Sequence, residues 1–279
     1  MSQSDRYKQA IQFREDGNLS SAILEFEADI LENPNLTRSY LGLGEIYSSS
    51  GQWAKAKLNY SKVVLFDPSP YHYFLLGEAL YQDGHSIQAV EAFRMSIQSN
   101  PQQLESHLAL ATLYGNTGNQ FMKEIFLKNA LILDENNELV MEELITIYSQ
   151  TFRFEDAVSL CQKYLSVYPN SVTMKILLVE LLMKMNKFNS AFEYLTICLK
   201  EDEKTSKLVS NPNLLLIKEK IKKLLIKKKK MLLNSLALSP DPRLAVDLSI
   251  LFLLYGDISN SAKYLVYARQ VKERIQMAT

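Results

Sequence analysis

The chain has 279 residues, of which 47% are hydrophobic, so it is long enough to bury a sizeable core. Its 31 Lys/Arg residues balance 31 Asp/Glu residues, and the whole-chain charge therefore predicts no class of partner. The balance is uneven, because residues 204–279 carry 15 basic and 5 acidic side chains and the preceding body carries 16 and 26.

Signals for export or membrane insertion are not visible in the sequence. The N-terminal residues MSQSDRYKQ contain no apolar stretch behind a basic start, as a signal peptide would. No uncharged run approaches the roughly 18 to 20 apolar residues that a membrane span needs. We therefore expect a cytoplasmic protein.

Four prolines, each closing an apolar helical segment, divide most of the chain. They are Pro34, Pro68, Pro101 and Pro169, with two nearly equal intervals followed by one twice as long. Proline stops a helix because it lacks an amide N–H and clashes with the preceding turn. A period of about 34 residues predicts a solenoid of helix pairs, in which each pair buries its apolar face against its neighbours.

Other positions recur in the same register. A small residue beside a bulky one recurs at Leu43-Gly44, Leu76-Gly77 and Leu110-Ala111. A turn glycine follows at Gly17, Gly51, Gly84 and Gly118, and a second small residue opens the next helix at Ala22, Ala56, Ala89, Ala157 and Ala191. Small residues let two helix backbones approach closely, and glycine ends a helix because it reaches left-handed backbone angles easily.

This pattern resembles the tetratricopeptide repeat (TPR) family, whose signature pairs a Leu-Gly-x-x-Tyr segment with a later alanine, an aromatic residue and a closing proline. We distinguish six units, at about 3–36, 37–69, 70–103, 104–137, 138–171 and 172–205. The resemblance implies an all-α fold, a right-handed α-solenoid of antiparallel helix pairs. The fourth unit departs from the signature because Lys123 replaces the second alanine. The fifth unit departs from it because it has Leu144-Ile145 where a leucine and a small residue are expected, and because it has no turn glycine.

The C-terminal third carries a different pattern. We predict one continuous basic amphipathic helix from about Leu214 to Leu238, within a segment 206–242. Residues 243–279 look like a degenerate seventh repeat that caps the array, with a turn at Gly256 and with Ala262 and Val266 in the slots of its second helix. The polar end of that helix suits the cap that a repeat array needs.

In the TPR family the first helix of each pair lines a concave groove. Carried over to this chain, that rule predicts a peptide-binding groove formed by Arg38, Leu41, Glu45, Ser48, Tyr71, Phe74, Glu78, Tyr81, Glu105, Leu108 and Thr112. Exposed apolar residues beside acidic ones suit an extended or helical peptide with apolar anchors and some basic groups. In the alternative interpretation, Phe74 and Leu108 pack against neighbouring helices and the glutamates are only solvated.

The family's best-known ligand contact is a Lys/Asn/Arg clamp on the C-terminal carboxylate of a chaperone. The matching positions here hold Tyr7 and Ile11, then Gly42, then Tyr71 and Leu75, and a shift by one unit also fails. We therefore do not expect this protein to bind a chaperone tail by such a clamp.

Lysines crowd the predicted C-terminal helix. The basic patch consists of Lys218, Lys220, Lys222, Lys223, Lys227, Lys228, Lys229 and Lys230. It could be a solvated face, a helix docked on the acidic body, a site for an acidic protein, or a surface for nucleic acid or anionic membrane. The absence of aromatic residues in the patch disfavours single-strand stacking.

Sites for chemistry are not indicated. The histidines His72, His85 and His107 lack metal-ligand spacing, and Cys161 and Cys198 fit buried reduced thiols, so we expect neither a metal nor a cofactor. The phosphate-binding, dinucleotide and nucleophile-elbow motifs are missing. We predict a noncatalytic adaptor or scaffold that binds a protein or peptide, and retain two alternatives: an assembly subunit, or a binder of nucleic acid or membrane. The oligomeric state is left open.

Overall fold

The computed structural model of the protein describes residues 3–185, 187, 190–191, 194, 212–254 and 258–278. These residues form fourteen α-helices, and none of them lies in a β-strand. The chain divides into two compact units, Met1–Val140 and Met141–Thr279.

The first unit contains four helix pairs, each joined by a short turn. They are α1 (Gln3–Glu15) with α2 (Leu19–Glu32), α3 (Thr37–Ser49) with α4 (Trp53–Phe66), α5 (Pro70–Gln82) with α6 (Ser86–Ser99), and α7 (Leu104–Asn116) with α8 (Gln120–Leu133). Such short turns make the two helices of a pair antiparallel neighbours. Each of these pairs falls within one of the first four predicted units.

Turns between the helices follow the predicted punctuation. Gly51 ends α3 with a φ of 70°, a left-handed angle that a side chain would strain, and the three other turn glycines have positive φ as well. The side chain of Ser69 accepts a hydrogen bond from the His72 amide at 3.3 Å and caps α5, whose first residue is Pro70. Local residue chemistry therefore fixes where these helices begin and end.

Glycines on the first helices receive large buried rings. An added Cβ on Gly42 would lie 2.5 Å from the Phe26 ring, and one on Gly44 would overlap the Tyr60 ring in the same way. Both rings are almost completely buried. The small residues that define the repeat thus allow the close helix contacts predicted from the sequence.

The second unit takes in most of α9 (Glu138–Gln150) and five further helices. These are α10 (Phe154–Val167), α11 (Val172–Lys184), α12 (Pro212–Leu238), α13 (Pro242–Leu254) and α14 (Ile258–Ala278). Its largest fully buried residues include Met141, Leu144, Ile145, Leu178 and Leu181. In the fifth repeat, buried Ile145 occupies the position at which Gly44, Gly77 and Ala111 stand in earlier repeats.

The turn between α9 and α10 lacks glycine, and Phe152 takes its place with a φ of 60°. A left-handed angle is unfavourable for a residue with a Cβ. The Phe152 side chain is exposed and meets Phe154 edge to face, with ring centroids 5.9 Å apart. The fifth repeat therefore keeps the turn geometry of the others without the residue that suits it.

The predicted continuous helix is confirmed as α12. The seventh pair is also present as α13 and α14, but our register within α14 was wrong by one residue. Ala262 and Val266 are exposed, whereas Ser261 is buried and its Oγ lies 3.0 Å from the Oγ of Ser249 on α13. Ser249 and Ser261 form this close contact between the two helices. The prediction assumed alanine at this position of α14 and therefore assigned it to Ala262, the residue after Ser261.

Some predictions concern residues outside the described part of the chain. These are the turn at Gly256, the thiol of Cys198, and most of the second helix of the sixth unit, of which Ala191 is described and buried. The boundary near residue 205 lies outside it too, and the proposed division into three segments stays a prediction.

Candidate functional site

The predicted groove residues of the first unit lie on α3, α5 and α7. Tyr71 is 52% exposed and stacks on Phe74, with ring centroids 6.4 Å apart. Phe74 is half-buried because its other side meets the buried ring of Phe93, with centroids 6.0 Å apart. Leu41 and Leu108 are also half-buried. Tyr71 is thus an exposed aromatic side chain held in place by a ring that belongs partly to the core.

Two glutamates occupy successive repeats of this surface. Glu45 accepts a hydrogen bond from Arg14 at 2.5 Å, so its charge is balanced within the unit. Glu78 has no basic partner among the described residues, and desolvation by the surrounding protein raises its pKa above the ordinary value. An ionised Glu78 would therefore gain from a cation supplied by a partner.

A buried tyrosine connects the two acidic positions. The Tyr60 hydroxyl lies 3.2 Å from the Ser48 hydroxyl, and burial raises the pKa of Tyr60 to about 12. The negative charges of Glu45 and Glu78 are smaller causes of this raised pKa, so both carboxylates lie near the same hydroxyl. Tyr60 is 2% exposed and therefore supports this surface from within the core.

The remaining predicted groove residues have partners within the unit. Arg38 lies 3.5 Å from the buried Asp29 carboxylate and 4.6 Å above the Tyr7 ring, so it holds the first two repeats together. The Tyr81 hydroxyl accepts a hydrogen bond from Asn116 at 2.5 Å. Two exposed polar residues have local bonds: Glu105 accepts from Gln103 at 2.8 Å and Thr112 donates to the Leu108 carbonyl at 3.0 Å.

The basic patch on α12 divides into two groups of described side chains. Lys223, Lys227 and Lys230 are exposed and recur at the spacing of one helix face. Lys229 is half-buried, with its Nζ 4.0 Å above the Phe252 ring on α13. Lys228 is half-buried too, because it lies against α13 near Asp247. The side chains of Lys218, Lys220 and Lys222 lie outside the described part of the structure.

Lys228 faces an acidic residue of α13. Burial lowers the pKa of Lys228, while Asp247 opposes that shift. Burial raises the pKa of Asp247 to about 6, and Lys228 partly opposes that change. The two charges are therefore desolvated together, and this part of the basic helix is docked on α13.

Exposed leucines on the second helices are a feature that the sequence analysis overlooked. Leu24 and Leu31 on α2 have counterparts one repeat later in Leu58 and Leu65 on α4, and the four side chains are between 65% and 83% exposed. A cleft between α2 and α4 is floored by Tyr40, Leu43 and Tyr47 of α3. The repeat spacing relates these leucines to one another, so a comparison of the exposed positions between repeats would have revealed them.

No helix within the described residues combines the length and apolarity required to cross a bilayer. Within the same residues, no three His, Cys, Asp or Glu side chains are grouped as a metal site would need. His72 and His107 instead lie 2.9 and 3.0 Å from the backbone carbonyls of Asp67 and Pro101. These two rings thus help to hold the starts of α5 and α7.

Comparison with known proteins supports the repeat architecture. A tetratricopeptide repeat family model matches residues 37–70. Superkiller protein 3 of Schizosaccharomyces pombe is 26% identical over 190 residues, and the match covers 63% of this chain and 13% of that protein. The chain therefore corresponds to a small part of this relative.

Two solved structures resemble the protein. The MamA protein superposes with a TM-score of 0.54 at 19% identity, over 59% of this chain and 91% of MamA. A tetratricopeptide repeat protein from Parabacteroides merdae ATCC 43184 has a TM-score of 0.53 at 15% identity, over 96% and 98% of the two chains. The predicted α-solenoid fold is thus confirmed, and this fold in general supports protein–protein interaction. Together with the helix pairs described above, these matches show that residues 37–70 resemble a tetratricopeptide repeat and that the chain shares the fold of the solved structures that it matches.

Proposed function

We propose that the protein is a noncatalytic scaffold that binds a peptide or helix of a partner on the α3–α5–α7 surface of its first unit. The observation that carries this proposal is that Tyr71 and Glu78 are both exposed on α5 and both lie near the Tyr60 hydroxyl. An apolar anchor of the ligand would contact Tyr71, and a lysine or arginine would pair with Glu78.

Preorganisation supports the same proposal. Tyr71 is supported by Phe74, and Tyr60 is fixed by Ser48, so the surface loses little conformational entropy when a ligand binds. Phe74 itself packs on Phe93, and its truncation would weaken folding as well as binding. Tyr71 is therefore a cleaner test of the binding surface than Phe74.

A matched pair of fluorescent peptides tests the proposal. Both have the same length and apolar residues, and one carries lysines where the other carries glutamates. In fluorescence anisotropy we expect the lysine peptide to bind more tightly, and Tyr71→Ala and Glu78→Gln each to weaken it about tenfold, the effect of about 1.4 kcal/mol. Glu91→Gln, on the exposed surface of α6, serves as the control. Equal binding of both peptides, or equal effects of Glu78→Gln and Glu91→Gln, would contradict the proposal.

Binding to a polyanion is a second candidate function, favoured by the exposed face formed by Lys223, Lys227 and Lys230. Three phosphate contacts would give a slope of about −2 to −3 in a plot of log affinity against log salt concentration. A triple Lys→Gln variant should abolish binding to a nucleic acid or to vesicles with an anionic lipid. Unchanged binding in that variant would remove this alternative.

A further inference from the structure

The last helix pair has the same layout as the second. In both pairs the first helix has 13 residues and the second begins four residues after it ends, so Thr37 corresponds to Pro242 and Trp53 to Ile258. With this shift, buried Leu43 and Gly44 correspond to buried Leu248 and Ser249. Positions in α3 and α4 can therefore be compared directly with those in α13 and α14.

This comparison shows what normally covers the far side of a pair. Tyr60 on α4 is 2% exposed and belongs to the same core cluster as Ala79 of α5, with Leu75 and Leu76 packed against that cluster. The first helix of the following repeat thus lies over Tyr60. The corresponding residue in the last pair is Leu265, which is 51% exposed.

A cleft lies at this position on α13 and α14. Its apolar floor includes Val246, Leu265 and Ala268. Val246 corresponds to Leu41 and Ala268 to Val63, so the cleft is the site at which an inner repeat receives the next first helix. Two of these apolar side chains are accessible, since Val246 is 38% and Leu265 51% exposed.

The rim of the cleft is basic. Arg243 comes from α13, and Arg269 and Lys272 come from α14. All three are exposed, and the carboxylate of Glu273, 2.9 Å from Arg269, offsets one of their charges. An apolar floor with positive edges is complementary to a helix that has an apolar stripe flanked by carboxylates.

We infer that the α13–α14 cleft binds an acidic amphipathic helix of a partner protein, which takes the position of a next repeat's first helix. Leu265 and Val246 contact the apolar stripe, and Arg243 and Lys272 pair with its acidic flanks. This surface belongs to the second unit and differs from the Tyr71–Glu78 surface in the charge that it selects.

The helix α5 supplies a probe, because it fills the equivalent position on α4. The probe is a fluorescent stapled peptide of residues 69–83 that keeps Leu75, Leu76 and Ala79 and has glutamate at its solvent-facing positions. A staple is needed because a helix of this length is marginal in water. The comparison peptide has lysine at the same positions.

We expect the glutamate peptide to bind the full chain at least tenfold more tightly than the lysine peptide. Leu265→Asp should weaken binding at least tenfold. Val266→Asp is the matched control, since Val266 is the adjacent residue, 57% exposed, and lines a different depression on α14. The Arg243→Glu/Lys272→Glu variant should reverse the peptide preference, while Lys263→Glu should not.

Circular dichroism should show equal helicity for all these variants, because each changed side chain is exposed. Failure of both peptides to bind, or equal losses in Leu265→Asp and Val266→Asp, would overturn the inference. Concentration-dependent self-association that Leu265→Asp abolishes, without peptide binding, would overturn it too and would assign the cleft to a second copy of the chain. Glu78→Gln should leave glutamate-peptide binding unchanged, which separates this test from that of the proposed function.

Discussion

Replacing Gly77 by alanine tests the close helix contact on which the repeat depends. The added Cβ would lie 2.6 Å from Cε1 and 2.7 Å from Cδ1 of Phe93, a ring that is 1% exposed and unable to move into solvent. Overpacking of this kind costs about 1–3 kcal/mol. Alanine in place of a helical glycine recovers about 0.5–1 kcal/mol. The middle of each range gives a net loss of about 1.25 kcal/mol in the free energy of unfolding.

Urea unfolding followed by circular dichroism would measure this loss. Gly115→Ala is the matched control, because the three atoms nearest to its Cβ would all belong to the flexible Lys123 side chain, with Cδ at 3.0 Å. We expect the control to be neutral or more stable by up to about 1 kcal/mol. A double-mutant cycle with Phe93→Leu should show that the smaller side chain relieves part of the loss. Gly77→Ala that is as stable as the wild type, or a cycle without coupling, would refute the proposed contact.

Three further outcomes follow from the second unit. Phe152→Gly should raise the free energy of unfolding by about 1 kcal/mol, because glycine adopts the left-handed angle without the strain that a Cβ causes. A lower urea midpoint in this variant would contradict the prediction. The pKa of Asp247 is raised from 3.8 to about 6, so the folded state binds its proton more tightly and stability falls as pH rises between these values. Asp247→Asn should reduce that fall in urea titrations at pH 4 and pH 7, and an identical pH dependence would count against it. Burial raises the pKa of Cys161 to about 12, so in a Cys198→Ser background a thiol reagent at pH 8 should label the folded protein only slowly; rapid labelling would disprove the burial.

Helix boundaries could be predicted well because the signals that set them are local. Pro34, Pro68, Pro101 and Pro169 after the closing helices, and the glycines in the first four turns, act through backbone angles that hardly depend on distant contacts. The register of α14 could not be predicted in the same way. There Ser249 and Ser261 replace the usual small residues and bond to each other, and a hydroxyl pair has no fixed signature in the repeat pattern.

The groove was harder to predict than the fold because its residues serve two purposes. A first-helix side chain can face the groove and also pack on a second helix, as Phe74 does on Phe93. Arg38 was predicted as a ligand contact, yet it contacts Asp29 and Tyr7. Sequence periodicity indicates the face of a helix on which a residue lies, but it does not reveal which neighbour from another repeat reaches that residue.

The four consecutive lysines of α12 show how a charge cluster can combine packing with exposure. Successive helical residues are about 100° apart, so Lys227 to Lys230 cover nearly the whole circumference of the helix. A helix that docks on a neighbour through any face must then place at least one of these lysines against it. In this protein α13 receives Lys228 beside Asp247 and Lys229 above the Phe252 ring, which compensates part of their desolvation. Among the described lysines, the charge presented to an anionic partner is consequently that of Lys223, Lys227 and Lys230, and the formal charge of the cluster overstates its capacity to bind one.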